Sequence, residues 1–245
     1  MPNVIISGIN GKMGRLVYSS LKQKGFNIVC GIDHTIVGEF DCPVYKNFEE
    51  VKNYANVVID FSSVENLAPL LSYCVNSGTP VVICTTGYSK NQEKLIYTAS
   101  KKIPIFKTSN TSPGITVLIK LCKIAAKLLD DFDIEIIETH HSQKLDSPSG
   151  TTLEIVDELQ SIKQLQPIFG RYGSKKRNNN EIGIHSVRGG SVVGEHEILF
   201  LGNNETISIK HSAQSKKLFA DGAIKAAEFI LDKPNGLYGM PDLFR

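Results

Sequence analysis

The densest group of chemically capable side chains lies in residues 138–152, where the sequence is ETHHSQKLDSPSGTT. His140, His141 and Lys144 can take up or release protons and can hold negative charge. The Ser-Pro-Ser-Gly-Thr stretch that follows is typical of a loop that turns into a helix. Because the first N–H groups of a helix have no intrahelical partner, a helix starting near Ser149 would bind an anion. The segment therefore predicts a pocket for a small anionic substrate with acid/base groups beside it.

A strand is needed to position these groups. The alternating residues 133–138 (DIEIIE) predict a β-strand whose carboxyl end delivers the two histidines. A His-His pair and a Ser-Gly-Thr helix start also occur in purely structural settings. The chemical interpretation therefore depends on whether the rest of the chain binds a cofactor.

The N-terminal sequence has the pattern of a dinucleotide-binding unit. Residues 4–7 (VIIS) predict a buried strand that runs into residues 8–15 (GINGKMGR) with G-x-x-G-x-x-G spacing. Gly8 permits the tight turn, Gly11 lets the backbone approach a pyrophosphate, and Gly14 lets the helix lie close to the strand. The spacing predicts a βαβ unit, with a nucleotide-free helix start as the alternative.

The acid that ends the next strand bears on cofactor choice. A helix to Lys24 and a strand at 27–32 lead to Asp33, 25 residues after Gly8, where a carboxylate can accept ribose hydroxyls. An arginine after this acid would favour the 2′-phosphate of NADPH, but the chain has His34, and Asp33 would repel a phosphate. We expect NADH, with NADPH left open.

The βα alternation continues to about residue 110 and then stops. Strands are predicted at 56–60, 80–84 and 103–106, and helices at 64–76 and 88–101. Parallel sheets bind ligands at the carboxyl ends of their strands. Thr85, Thr86 and Asn110 are therefore candidates to line the nicotinamide, with simple turn chemistry as the alternative.

The second half of the chain predicts a different architecture. A connecting helix at 114–129 precedes the histidine strand, and a helix at 151–160 and a polar stretch at 163–181 follow it, before β-like runs at 182–187, 192–201 and 206–211. Gly202-Asn203-Asn204 indicates a hairpin. An amphipathic helix at 215–231 is expected to return to the first domain. The fold class is α/β: an N-terminal Rossmann-type parallel sheet plus a smaller α+β domain with a mixed or antiparallel sheet. We expect a dinucleotide-binding domain at 1–110, completed by 215–245, and a substrate-binding and oligomerisation domain at 111–214.

Composition narrows the function classes. The 245 residues are 41% hydrophobic and 21% charged with a net charge of +2, so charge does not indicate binding to nucleic acid or a membrane surface. The five cysteines have no C-x-x-C spacing, which argues against a disulfide framework or a metal site and for a reducing compartment. No stretch has the length of a membrane span. We expect a cytoplasmic protein.

With these elements in place, the chain resembles the 4-hydroxy-tetrahydrodipicolinate reductase family almost end to end. The shared motifs are GINGKMGR at 8–15, DFS at 60–62, TTG at 85–87, SNTSPG at 109–114, ETHHSQKLDSPSGT at 138–151 and RGGSVVGEHE at 188–197. The resemblance implies an oxidoreductase of lysine and diaminopimelate biosynthesis. Using NADH or NADPH, it would reduce a cyclic dicarboxylate, 4-hydroxy-tetrahydrodipicolinate, to tetrahydrodipicolinate with loss of water. It also implies a homotetramer built through second-domain sheets.

The resemblance assigns roles to individual residues. His140 matches a proton donor/acceptor and Lys144 a proton donor. Substrate contacts are expected from His141, Ser149, Gly150 and Thr151. Because two substrate carboxylates need separate anchors, Arg188 is a candidate for the second, with a structural salt bridge as the alternative. Cofactor contacts are expected from Gly8, Ile9, Asn10, Gly11, Lys12, Met13, Asp33, Cys84, Thr85, Thr86, Ser109, Asn110 and Thr111. The chain departs from the family pattern at Cys84, which replaces a glycine, at Thr111, which replaces an aromatic residue, and at Ser147, which replaces an alanine.

Two other functions fit parts of the pattern. A dehydrogenase acting on an amino acid or a semialdehyde would share the glycine turn and the second sheet, but it would not predict His-His-x-x-Lys beside Ser-Gly-Thr. A redox-sensing regulator would bind dinucleotide without turnover, and it would call for a recognition module that the sequence does not show.

Overall fold

The computed structural model describes residues 1–35, 38–52 and 54–244. The chain forms two compact units, Met1–Ser112 with Lys216–Arg245 (unit 1) and Pro113–Ser215 (unit 2). In the described residues the strands are β1 (Asn3–Ser7), β2 (Asn27–Ile32), β3 (Val44–Tyr45), β4 (Val57–Asp60), β5 (Val81–Ile83), β6 (Pro104–Lys107), β7 (Asp133–His140), β8 (Gln166–Phe169), β9 (Glu181–Arg188), β10 (Gly194–Leu201), β11 (Thr206–Ala213) and β12 (Gly236–Tyr238). The α-helices are α1 (Lys12–Gln23), α2 (Leu67–Ser77), α3 (Lys90–Ser100), α4 (Pro113–Leu128), α5 (Gly150–Gln160) and α6 (Lys217–Ile230).

Unit 1 is built on a seven-stranded parallel sheet in the order β12-β6-β5-β4-β1-β2-β3. Its central strands are rows of valine and isoleucine, as expected for strands covered on both faces. Residues of α1 and α6 pack on one face, and residues of α2 and α3 pack on the other. The predicted Rossmann-type sheet is confirmed, and α6 is part of its core.

Unit 2 is built on a mixed five-stranded sheet in the order β11-β10-β7-β9-β8. β10 is antiparallel to both β7 and β11, whereas β9 runs parallel to β7 and β8. Burial alternates along β7, so that Ile134 and Ile136 enter a core shared with α4 and α5. Because side chains alternate along a strand, Glu138 and His140 lie on this same covered face.

Three short strands were not predicted. β3 and β12 have two and three residues at the two edges of the first sheet, and β8 lies in the stretch expected to be only polar. Edge strands this short bury too little surface to leave a hydrophobic pattern. The helix expected from residue 64 begins as a 3₁₀ turn, Val64–Asn66, before α2. The predicted hairpin between β10 and β11 is confirmed, with Asn204 in the left-handed region at φ 65°.

A membrane crossing is not supported by the helices. None of those in the described residues combines the length and the apolar composition that a span requires.

Candidate active site

The helix start predicted from Ser-Gly-Thr is present. Ser149 caps α5, and its Oγ accepts a hydrogen bond from the backbone N–H of Thr152 at 3.2 Å. Gly150, the first helical residue, is exposed, and no atom lies within 4 Å of the place its Cβ would occupy. The space beside the first residue of α5 is therefore open, which is compatible with an anion at this helix start.

His140 lies in a buried polar cluster at the carboxyl end of β7. Its Nδ1 contacts Oε2 of Glu138, two residues earlier on the same strand face, although the contact does not have good hydrogen-bond geometry. A Cβ on Gly194 would come within 2.9 Å of His140 Nε2, so the ring occupies the space that the glycine leaves. Both partners are buried, Glu138 completely.

His196 connects this cluster to the helix start. In the sheet register it stands opposite Glu138, and its ring meets that of His140 edge-on with centroids 5.2 Å apart. Its Nε2 lies 3.2 Å from Ser149 Oγ. His196 therefore links His140 to the capping residue of α5, although it was not among the predicted site residues. Its only sequence signal was its place in the 188–197 motif.

The pKa values follow from burial and from these contacts. Burial opposes ionisation of Glu138, but hydrogen bonds from Arg188 and Ser186 and the charge of His140 outweigh it and lower the pKa of Glu138. Burial, aided by Lys144 and Arg188, lowers the pKa of His140, although Glu138 acts in the opposite direction. Burial and then the neighbouring His140 lower the pKa of His196 to about 4. The cluster is thus an ionised carboxylate beside two imidazoles that favour the neutral form at neutral pH.

Lys144 and His141 lie in the turn after β7. The backbone N–H of Lys144 donates to the carbonyl of His141 at 3.1 Å, and Lys144 Nζ is 2.8 Å from Asp146 Oδ1. Lys144 is close enough to His140 to influence its pKa. The structure therefore brings the predicted proton-transfer residues into one region of unit 2.

Arg188 is held by protein groups. Its Nη2 donates to Glu138 Oε1 at 2.7 Å and to the carbonyl of Asp146 at 2.8 Å. Its Nη1 donates to the carbonyl of Val187 at 2.8 Å. These contacts favour the structural salt bridge over the carboxylate anchor. The assignment of Arg188 to substrate binding stays a prediction without support from its geometry.

Unit 1 has a cavity of about 490 Å³ at the glycine turn. Gly8 has φ +80°, and a Cβ on Gly8 would lie 2.6 Å from the carbonyl oxygen of Phe61. A Cβ on Gly14 would lie 2.0 Å from the carbonyl oxygen of Gly8. Only glycine fits such close backbone approaches. The lining residues are Gly8, Asn10, Gly11, Arg15, Ile32, Asp33, His34, Thr35, Lys46, Phe61, Ser62, Ser63 and Asn66. The turn and cavity fit the phosphates and adenosine ribose of a dinucleotide.

Asp33 connects the end of β2 to the glycine turn. Its carboxylate accepts hydrogen bonds from the backbone N–H groups of Asn10 at 3.0 Å and Thr35 at 3.2 Å. Arg15 and Lys46 line the same cavity, and neither was selected from the sequence. Arg15 stands one residue after Gly14, which is a signal that could have identified it; Lys46 comes from a distant loop, which no local pattern reveals.

Several predicted cofactor residues lie outside this cavity. Thr85 donates to the buried carboxylate of Asp60 at 2.6 Å, and Thr111 donates to the carbonyl of Phe219 at 2.7 Å. The others outside the lining are Ile9 and Cys84, which are buried, and Lys12, Met13, Thr86, Ser109 and Asn110. Cys84 does not have a positive φ, so its backbone does not require the glycine of the family pattern. The cofactor roles of these residues stay predictions.

A helix-covered parallel sheet with a glycine-lined cavity, followed by a unit with an acid/base cluster at a helix start, defines a nicotinamide-dependent oxidoreductase of the Rossmann type. Models described as dihydrodipicolinate reductase, N-terminus, and dihydrodipicolinate reductase, C-terminus, match residues 2–111 and 114–244. The chain belongs to the dihydrodipicolinate reductase family.

Individual relatives agree with this assignment. The chain is 48% identical over 244 residues to the 4-hydroxy-tetrahydrodipicolinate reductase of Clostridium tetani, covering 98% of this chain and 96% of the relative. It is 48% identical over 249 residues to the enzyme of the same name from Caldanaerobacter subterraneus subsp. tengcongensis, covering 100% and 99%. Dipicolinate-bound dihydrodipicolinate reductase from Paenisporosarcina sp. TG-14 has the same fold, with a TM-score of 0.84 at 24% identity over 99% of each chain. The resemblance seen in the motifs is confirmed.

Proposed function

We propose that this protein reduces 4-hydroxy-tetrahydrodipicolinate to tetrahydrodipicolinate in lysine and diaminopimelate biosynthesis. The observation that carries the proposal is the buried His140 cluster joined through His196 and Ser149 to the open start of α5. Acid/base groups next to an anion-binding helix start suit a substrate that carries carboxylates. Relatives that match this chain over nearly its full length bear the name of this reaction.

The reaction adds one hydride and one proton to the substrate and releases one molecule of water. NADH or NADPH supplies the hydride. Charge then develops toward the ring of the cyclic imine, and a nearby cation has to neutralise and protonate it. Lys144 is the proposed proton donor and His140 the proposed proton donor/acceptor. The N–H groups of Gly150 and Thr151 would bind one substrate carboxylate, and His141 is proposed as a further substrate contact.

For the cofactor, we propose a preference for NADH over NADPH. The carboxylate of Asp33 lines the cavity where the adenosine ribose would lie and would repel a 2′-phosphate. Arg15 and Lys46 line the same cavity and supply compensating positive charge, so NADPH is expected to bind as the weaker cofactor.

Unit 1 is proposed as the dinucleotide-binding domain and unit 2 as the substrate-binding and oligomerisation domain of a cytoplasmic homotetramer. The sheet face of unit 2 opposite α4 and α5 carries apolar side chains, among them Val187, which is exposed, and Ile137 and Leu199, which are half-buried. Such a face is suited to packing against a second copy. Light scattering at working concentration should give the mass of a tetramer, and a monomer would contradict the proposed assembly.

The function is tested by following nicotinamide absorbance with substrate made in situ by the preceding synthase. We expect oxidation that depends on the synthase product and that Lys144→Ala reduces by about 10²- to 10⁴-fold, with unchanged NADH binding. Lys123→Ala is the matched control, because Lys123 is also an ion-paired lysine of unit 2, with Glu158 as its partner. If the wild-type protein binds NADH but does not oxidise it, the proposed reductase activity is contradicted and the redox-sensing regulator is favoured.

A further inference from the structure

We propose that Glu138 is a positioning residue: its carboxylate holds the Nδ1 side of His140, so that His140 exchanges protons through Nε2. This inference rests on the proposed role of His140 in the reaction. It adds a second functional residue on β7, two positions before His140.

The two oxygens of Glu138 have different partners. Oε1 accepts from Arg188 at 2.7 Å, and Oε2 contacts His140 Nδ1. The carboxylate is completely buried. A buried charge of this kind persists only when it is paired. Arg188 therefore keeps Glu138 ionised, and Glu138 in turn presents a negative oxygen to the imidazole.

An ionised carboxylate at Nδ1 selects one form of the ring. A neutral histidine carries its proton on either nitrogen, and the partner of one nitrogen decides which. With an anion at Nδ1, the form with Nδ1–H is favoured, because the other form would direct a lone pair at a negative oxygen. Nε2, beside Gly194, is then the nitrogen left for proton exchange.

Charged and titratable groups reach His140 from four segments. Glu138 lies on its own strand, Lys144 in the following turn, Arg188 on β9 and His196 on β10. Lys144 and Arg188 disfavour the imidazolium, whereas Glu138 favours it. Glu138, His140 and His196 also place potential ligand atoms within 4.8 Å of one another, but the guanidinium bound to the same carboxylate opposes a cation there.

Glu138→Gln tests the role because it keeps the shape and removes the charge. We expect kcat to fall about 10- to 100-fold with nearly unchanged KM. One limb of the kcat–pH profile should report the pKa of His140. In Glu138→Gln this limb should move to lower pH, because the anion that raises the pKa of His140 is gone. Glu195→Gln is the matched control: Glu195 pairs with Lys210 one position from His196, and its removal should leave the limb in place.

A second variant separates positioning from simple charge balance. Glu138→Gln leaves Arg188 buried without its partner, so Glu138→Gln is combined with Arg188→Gln and compared with Glu138→Gln alone and with the wild type. Positioning predicts that the double variant keeps the kcat loss of Glu138→Gln. Recovery toward the wild-type kcat would overturn the proposal, because Glu138 would then serve only to neutralise the arginine.

A readout other than turnover keeps this inference separate from the proposed function. The pKa of His140 is measured by histidine NMR titration, with the signal assigned from His140→Gln. We expect a lower pKa in Glu138→Gln than in the wild type even if the wild type does not reduce the proposed substrate. An unchanged pKa would overturn the role of Glu138, whereas absence of wild-type turnover would count against the proposed function alone.

Discussion

Gly11 offers the sharpest test of the dinucleotide site, because its role can be separated from folding. It is the N-cap of α1 with φ −63°, a conformation that alanine adopts easily, and a Cβ there would meet only the carbonyl oxygen of Gly8, at 3.2 Å. Alanine is a poorer N-cap than glycine, so Gly11→Ala should lower the free energy of unfolding by about 0.5–1 kcal/mol. The protein should therefore still fold.

Cofactor binding should respond much more strongly. Gly11 lines the cavity, and its added methyl group would hold the backbone away from a pyrophosphate. A hydrogen bond to a charged group contributes about 1.5–3 kcal/mol, so losing one weakens NADH binding by about 10- to 150-fold. NADH fluorescence titration gives the Kd, and urea denaturation gives the stability.

The matched control is Gly78→Ala at the end of α2. Gly78 has φ +67° with no atom within 4 Å of a Cβ, so alanine there meets only backbone strain of about 1–2 kcal/mol. It should lose at least as much stability as Gly11→Ala and bind NADH normally. A folded Gly11→Ala protein that binds NADH within twofold of the wild type would refute the assignment of this turn to the pyrophosphate.

Three further predictions concern single side chains. Asp33→Asn should lower kcat/KM with NADH about tenfold and raise the NADPH-to-NADH ratio, since the carboxylate that favours ribose hydroxyls is lost; an unchanged ratio in steady-state kinetics would contradict this. Ser149→Ala should lower the unfolding free energy by about 1 kcal/mol and raise KM for the substrate, because it removes the cap of α5; a wild-type KM would count against the anion site. The pKa of His196 is about 4 in the folded protein and about 6.5 in the unfolded chain. The stabilisation of the folded state by neutral His196 is therefore complete above pH 6.5 and is lost as pH falls through about 4, for a total of about 3 kcal/mol. His196→Asn should flatten this acid-side decline in urea titrations at several pH values, and an unaltered slope would show that His196 does not cause it.

Much of unit 1 could be predicted because its signals are local. The strand, glycine turn, helix and terminal acid follow one another within residues 3–33, and each has its own pattern. The short edge strands β3, β8 and β12 could not be predicted, because neighbouring strands rather than hydrophobic periodicity hold them. Lys46 could not be predicted as a cavity residue for a related reason, because only the packing of its loop brings it to the cavity.

The fold class, the glycine turn and the group of ionisable residues in 138–152 could all be read from local sequence, since each depends on residues close together in the chain. The tertiary structure decided how that group is held. Ser149 and His196 are 47 positions apart, and Glu138 and Arg188 are 50 apart, yet both pairs are in contact. The register of β7 with β9 and β10 places His196 opposite Glu138 and Arg188 opposite His140, and register is a property of the assembled sheet. The contact of Arg188 with the buried Glu138 therefore depends on strand pairing, whereas a contact of Arg188 with substrate stays a prediction.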